Sequence, residues 1–286
     1  MRSISIIGPN GQLGSDLVKT FQGAGWEVKP LGHEKIEVEN FDSVTKALKT
    51  NKSEWIINTA AFHRVDDCEK DSRRAWEINV SGAKNVAIAA RDLGIQSVFI
   101  SSDFVYSGDK GGSYTESDSV SPVNAYGHSK AAGEAVTLAA DSRNLVIRIS
   151  SVFGAAGSSG KGGNFVETIL NKARQKEALN VVGDIFMSPT YTIDAANKIL
   201  ELLNRNEAGV FNASNSGVTS WHEFANEILT QAQLSTSLQA SKYNWESIPK
   251  RPRNSSLDIS KVERFAKESP TWVEGLRRYL TEKGHI

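Results

Sequence analysis

The chain has 286 residues, 39% of them hydrophobic and 23% charged. That is enough for one large domain or two modest ones with real cores, and it is ordinary for a soluble globular protein. Lys+Arg and Asp+Glu both number 33, so the formal net charge is zero, which speaks against a broad electrostatic footprint for nucleic acid. The single cysteine, Cys68, excludes an internal disulfide and a CxxC metal pair and reads best as an ordinary small side chain. No stretch approaches the roughly 18 apolar residues of a membrane span. The apolar run Ile4–Ile7 meets Gly8-Pro9 too early for a signal peptide. The expectation is a cytoplasmic protein with neither membrane nor nucleic acid as partner.

In chain order, Ser3–Ile7, Trp26–Leu31, Trp55–Ile57, Ser97–Ile100 and Leu145–Ile149 read as strands. Between them, residues 12–24, 41–50, 71–93 and 123–140 carry helical periodicity; Ala75, Ile78, Gly82, Val86 and Ala89/Ala90 recur at three- or four-residue steps. This alternation predicts an α/β fold, a doubly wound parallel sheet. After Phe153 the texture changes. Gly154 to Asn164 is a glycine- and serine-rich loop of the kind found near ligands. Phe165–Lys176, Ile193–Leu203 and Ser220 to about Ala232 read as helices, and Leu179–Val182 and Gly209–Ala213 as strands. Ser220 and Glu223 fit a capping box. The segment Lys250–Leu257 reads as a polar loop before short terminal helices. The expected division is a dinucleotide-binding domain over 1–153, with additions from about 190–213, and a smaller α/β lobe over 154–286.

Four segments carry chemistry. Gly8-Pro-Asn-Gly11-Gln-Leu-Gly14 falls where the first strand becomes the first helix. Glycines there allow a tight turn and close approach of backbone to a pyrophosphate, whose charge the helix N-terminus attracts. Asn58-Thr-Ala-Ala61 follows the third strand, and Ser101-Ser102-Asp103 ends the fourth, on the side where doubly wound sheets bind ligands. Tyr126 and Lys130 lie four apart on a helical stretch, hence on one face. An ammonium beside a phenol lowers its pKa from about 10. Tyr126 would then protonate a carbonyl oxygen as hydride arrives, Lys130 would also reach the nicotinamide ribose, and a Ser102 hydroxyl would donate to the same oxygen. The second strand closes with Leu31-Gly32-His33, lacking the carboxylate that NAD enzymes place on the ribose. His33 or Lys35 could approach a 2′-phosphate, so the cofactor reads as NADP(H) or NAD(H), with a lean toward NADP(H). The His and Glu residues show no metal-ligand spacing.

Taken together these segments resemble the extended short-chain dehydrogenase/reductase superfamily, and within it the dTDP-4-dehydrorhamnose reductase family. The resemblance runs nearly end to end. It includes Gly11-Gln-Leu-Gly14, Asn58-Thr-Ala-Ala61 with Val65-Asp66 and Glu69, Asn79-Val80-x-Gly82, Ser102-Asp103-x-Val105 and Tyr126-Gly-x-Ser-Lys130 with Gly133-Glu134. It continues through Ser188-Pro-Thr-Tyr191, Trp221-x-x-Phe224-Ala225 and Arg251-Pro-Arg-Asn-Ser255. It implies a Rossmann domain for NAD(P)H and a C-terminal lobe for a nucleotide sugar whose 4-keto group is reduced, a step of dTDP-rhamnose biosynthesis. Tyr126 would be the proton donor, Lys130 its assistant, and Ser102 would stand where the family usually has threonine. Gly8, Gly11, Gln12, Leu13 and Gly14 would hold the pyrophosphate. Glu37, Val38, Ala60, Ala61 and Phe62 would line the adenosine and nicotinamide halves, with Ser101 beside them. His63, Asp103, Phe104 and Ser151 would join Ser102 around the substrate.

Three departures concern the sugar. Phe104 follows Ser101-Ser102-Asp103 where the family's aromatic pair would begin with tyrosine. Ser151 stands where a tryptophan is expected, removing an apolar platform, and Asp184-Ile-Phe-Met-Ser-Pro-Thr190 loses the glutamine and glycine usual to that segment. Another sugar-nucleotide reductase or epimerase is therefore the alternative within the superfamily, and a non-catalytic NADP-binding regulatory subunit the alternative outside catalysis. His63 and Arg64 lie where an anionic group would enter, with ordinary rim residues as the competing reading. The resemblance leaves room for a homodimer.

Overall fold

The computed structural model describes residues 2–157, 163–266 and 269–286. Its first half alternates β1 (Ser3–Ile7), α1 (Gln12–Gly23), β2 (Glu27–Leu31), α2 (Phe41–Asn51) and β3 (Trp55–Asn58). The helical segments α3 (Val65–Lys70), α4 (Ser72–Trp76) and α5 (Ala83–Asp92) follow, then β4 (Gln96–Ser102), α6 (Ala125–Ala140) and β5 (Leu145–Ile149). The second half holds β6 (Val152–Phe153), α7 (Phe165–Arg174), β7 (Leu179–Val182), β8 (Phe186–Met187), β9 (Thr190–Tyr191) and α8 (Thr192–Asn204). It ends with β10 (Gly209–Asn212), β11 (Thr219–Ser220), α9 (Trp221–Gln231), β12 (Leu238–Ser241), α10 (Ser260–Glu263) and α11 (Trp272–Glu282).

β1 and β3 are buried along their whole length, so even the serines of β1 lie inside, Ser5 meeting the Ser53 hydroxyl at 2.8 Å. They form the middle of a six-stranded sheet in the order β2-β1-β3-β4-β5-β10, every pair parallel. One face packs on α1 and α8 through Leu17, Phe21, Ile199 and Leu203. The other packs on α2 and α5 through Val44, Leu48, Val86 and Ala90. The fold is the doubly wound, Rossmann-type α/β sheet expected. Because β1 is flanked by β2 on one side and β3 on the other, the strand order reverses there, and a crevice opens beyond their carboxyl ends.

The stretch expected as one helix over 71–93 is interrupted. Between α4 and α5 the turn Glu77–Gly82 is π-helical, because one extra residue per turn lets Asn79 point inward, fully buried. Trp26 lies outside β2 and packs edge-on against Phe21, ring centroids 5.1 Å apart. β10 joins the main sheet although it lies late in the chain. Phe153, Tyr191, Phe224 and Tyr279 centre a second core with α7, α9 and α11. The Ser220–Glu223 capping box is present at α9, and a second, Thr271–Glu274, opens α11. Of the glycine-rich loop 154–164, residues 158–162 lie outside the described ones.

Candidate active site

The crevice is built first by the turn after β1. Gly8 takes φ +74°, open to glycine at little cost, and a Cβ there would stand 2.5 Å from Thr59 Oγ1. A Cβ on Gly14 would meet the Gly8 carbonyl oxygen at 2.0 Å, so α1 can lie this close to the turn only with glycine. No side chain caps α1 at Gly11, and its first turn carries no acid. Its free N–H groups and the positive end of its dipole therefore face the crevice. This cradle, which any side chain would fill, fits the pyrophosphate of a dinucleotide; Gly11, Gln12 and Leu13 are the residues that would hold it. Gln12 Oε1 also accepts the Gly154 N–H at 3.2 Å, joining the turn to the second half of the chain.

Beyond β3, Thr59 donates to the Ile7 carbonyl at 2.6 Å. The backbone of Phe62 is held at both ends by Asn79, whose Oδ1 accepts from the Phe62 N–H and whose Nδ2 donates to its carbonyl, each at 2.9 Å. Nδ2 also reaches Ser129 Oγ at 2.9 Å. Asn79 thereby fixes the Ala60–Phe62 loop against α6, one residue from Lys130. Cys68, buried, donates its thiol to the same Phe62 carbonyl, and burial pushes that thiol up to about 12.

Tyr126 sits in the first turn of α6. Asn124 caps that helix by accepting from the Gly127 N–H at 2.8 Å and donates to the Lys250 carbonyl at 2.8 Å. A Cβ on Gly127 would meet the Phe104 carbonyl at 2.2 Å, so the helix packs hard on the turn that ends β4. The Phe104 ring lies edge-on to Tyr126, centroids 5.8 Å apart. The Ser102 hydroxyl lies beside the Tyr126 phenol. Burial pushes Tyr126 above the ordinary tyrosine range; the Ser102 hydroxyl works against this, and the nearby Asp103 charge adds to it.

Lys130 is buried. Its ammonium donates to the Ile100 carbonyl at 2.5 Å and lies 4.1 Å from the centroid of the Phe99 ring. Burial lowers it to about 7, against the opposing pull of the Glu134 carboxylate. The expected pairing, in which Lys130 depresses Tyr126, is therefore not the arrangement here. The two residues share one helix face, but the ammonium is turned inward and the phenol is raised.

Behind them Glu134 takes both ends of the Arg148 guanidinium, at 2.8 and 2.6 Å, and the Ser101 hydroxyl at 2.5 Å. Arg148 also donates to the Tyr106 hydroxyl. Ser101 is thus committed to this buried pair and turned from the crevice. Ser102 donates to Asp103 Oδ1 at 3.0 Å.

The other expected residues are spread more widely. Ser151, half-buried, turns the chain from β5 to β6 with φ +44°. His63 is half-buried before α3, and Glu37 is exposed. Val38 is buried against Gly82 and can offer only an apolar wall. At the end of β2, Lys35 folds back to the Pro30 carbonyl at 3.1 Å. The Glu34 carboxylate lies over Gly32, its Oε2 2.3 Å from where a Cβ of that residue would stand. A carboxylate thus occupies the place that the strand-end residue itself leaves vacant, which reading by position alone missed.

A cavity of about 250 Å³ adjoins the Tyr126 end of α6, lined by Val123, Tyr243, Trp245, Lys250, Arg251 and Arg253 among others. Arg253 lies 4.5 Å from the centroid of the Trp245 ring, and Arg251 reaches Asp66 at 3.3 Å. Of these, only Arg251 and Arg253 belonged to a motif visible beforehand; Tyr243 and Trp245 carry no spacing signal. Among the described residues no cluster of three or more His, Cys, Asp or Glu is placed to hold a metal, and no helix is long and apolar enough to cross a membrane.

Comparison with known proteins agrees with this geometry. The spore coat polysaccharide biosynthesis protein SpsK of Bacillus subtilis (strain 168) is 35% identical, covering 99% of this chain and 98% of its own length. A dTDP-4-dehydrorhamnose reductase of Aggregatibacter actinomycetemcomitans is 30% identical over 97% of this chain and 98% of its own. A solved dTDP-4-dehydrorhamnose reductase from Bacillus anthracis str. Ames, in complex with NADP, superposes with a TM-score of 0.93 at 31% identity, covering 99% of this chain and 100% of that one. The model of the RmlD substrate binding domain matches residues 1–284, and the chain belongs to that family, within the extended short-chain dehydrogenase/reductase superfamily.

Proposed function

We propose that this chain is an NAD(P)H-dependent reductase of a 4-keto, nucleotide-linked deoxysugar, with dTDP-4-dehydrorhamnose as the first substrate to test. The observation that carries the reading is the convergence of Ser102 and Tyr126, with Lys130 one turn further along α6, beyond the carboxyl edge of a sheet whose glycine turn fits a dinucleotide. The cofactor, when bound, supplies the hydride. Tyr126 gives its proton to the carbonyl oxygen, and its raised pKa keeps it protonated for that task. Ser102 supports the same oxygen. Lys130 shares that face of α6 and is the residue that would reach the nicotinamide ribose of the bound cofactor. The cationic, aromatic cavity beside α6 suits the nucleotide diphosphate end of such a substrate, since guanidinium groups match phosphate oxygens and the indole offers a stacking face. The lone, buried cysteine is in keeping with a reducing cytoplasm as the place of reaction.

The test is loss of NADPH absorbance on adding dTDP-4-dehydrorhamnose. We expect turnover that falls about a hundredfold or more in Tyr126→Phe. Cofactor binding without oxidation of NADPH or NADH on any 4-keto nucleotide sugar would overturn the reading in favour of a binding subunit.

A further inference from the structure

Asp103 is only 2% exposed and ionisable, and among the described residues no ion pair reaches it. Three serine hydroxyls surround it instead. Ser150 and Ser255 donate to Oδ2 at 2.8 and 2.6 Å, and Ser102 donates to Oδ1 at 3.0 Å. The three donors come from separate parts of the molecule: the end of β4, the end of β5, and the loop that follows the cavity. That loop is itself pinned nearby, with the Ser255 N–H bonded to the Phe186 carbonyl at 3.0 Å and the Leu257 N–H to Ser188 Oγ at 3.2 Å. Burial pushes the Asp103 carboxyl up while the hydroxyls hold it down.

A serine hydroxyl has one proton. While that of Ser102 is given to Asp103, Ser102 offers Tyr126 only lone pairs and has no proton for a keto oxygen. To support that oxygen, or the phenolate left after Tyr126 gives up its proton, Ser102 must turn and release Asp103 Oδ1. The Ser102 bond is the longest of the three, and Oδ2 keeps two short ones after the release. The carboxylate can therefore lose Ser102 without being left bare in the interior, where an unsatisfied charge is costly.

We propose that Asp103 is a positioning residue, which holds the Ser102 hydroxyl in reserve and releases it during reduction because Ser150 and Ser255 continue to solvate its charge. The docked 250–257 loop, through Ser255, thereby sets the readiness of the hydroxyl beside Tyr126. No covalent bond changes at Asp103; only the direction of the Ser102 proton does. This deepens the reductase reading and rests on it.

The experiment is a double-mutant cycle in steady-state reduction of dTDP-4-dehydrorhamnose. Ser255→Ala should lower kcat about tenfold, the equivalent of one hydrogen bond to a charged group, and leave the KM for NADPH unchanged. Ser255→Thr, which keeps the hydroxyl, should restore kcat. In the Ser102→Ala background Ser255→Ala should cost nothing further, since the two act through one group. Independent, multiplicative losses, or an unchanged kcat in Ser255→Ala, overturn the proposal. Should Ser255→Ala not fold, Ser150→Ala carries the same expectation, as it removes the other donor to Oδ2. Should the wild type reduce no 4-keto nucleotide sugar, the functional reading fails by itself. Positioning is then decided by crystal structures with NADPH bound: the Ser102 hydroxyl must turn from Asp103 Oδ1 in the wild type and stay on it in Ser255→Ala, and the same Ser102 orientation in both overturns the proposal.

Discussion

At the scale of single residues, the inward turn of Lys130 has a consequence for pH. Its unfolded-state pKa is the ordinary 10.5, its folded-state value about 7. Between those limits the unfolded chain holds the proton and the folded protein does not, so stability rises with pH across the window, and the penalty is complete below about 7. Urea unfolding of the cofactor-free protein from about pH 6.5 to 9 should show this rise, and Lys130→Met should flatten it. Glu34 makes a second prediction. Its carboxylate lies over Gly32, near where the adenosine ribose of a dinucleotide would rest. Removing the charge should help a 2′-phosphate. In Glu34→Gln the ratio of NADPH to NADH affinity, measured by fluorescence titration, is expected to rise severalfold, and a fall would remove Glu34 from the cofactor site. Sequence alone placed Tyr126 and Lys130 on one helix face, because helical spacing is local. It could not show that the ammonium seeks Ile100 and Phe99, since those contacts lie 30 residues away along the chain.

At the scale of elements, α6 and β5 are riveted by Glu134 and Arg148, with side-chain exposures of 6% and 5%. Removing one partner leaves a buried charge unpaired. Arg148→Met should cost about 3–5 kcal/mol in denaturant unfolding, whereas Arg148→Met with Glu134→Leu should recover much of it. A double variant no more stable than the single would show that Glu134 is held by its other neighbours. Because Glu134 also opposes the lowering of Lys130, the pair bears on the site as well as on packing. Helices and strands of the main sheet were legible where apolar periodicity was strong, as in β1, β5 and α2. The two-residue strands β6, β8, β9 and β11 were not, for a strand that short has no period and exists only because a partner lies opposite it. The π-helical turn at Glu77–Gly82 was equally hidden, since its cause is the inward bonding of Asn79 to Phe62 and Ser129.

At the scale of the whole molecule, the two halves are joined at polar points as well as through their cores. Gln12 meets Gly154, Asp16 accepts from Thr192, Asn124 meets Lys250, and Asp103 gathers Ser255. Several of these lie beside the glycine turn or α6, so cofactor binding should stabilise the entire chain. At a hundredfold excess over its Kd, NADPH should add about 2.7 kcal/mol, read by calorimetry as one transition moved to higher temperature. A lower transition left in place would show that the second half unfolds by itself.

The amino-acid sequence by itself determined the parallel α/β order, the glycine turn and the placing of Tyr126 and Lys130 on one helix face, because each depends on residues close together in the chain and on strand and helix periodicity. Only the tertiary structure decided what surrounds them: the three serines on Asp103, the ion pair behind Lys130, the Glu34 carboxylate over Gly32, and the cavity formed by Tyr243, Trp245 and the basic loop. Those depend on contacts between segments up to 152 residues apart, whose meeting is set by the packing of α8, α9 and α11 and leaves no trace in local spacing.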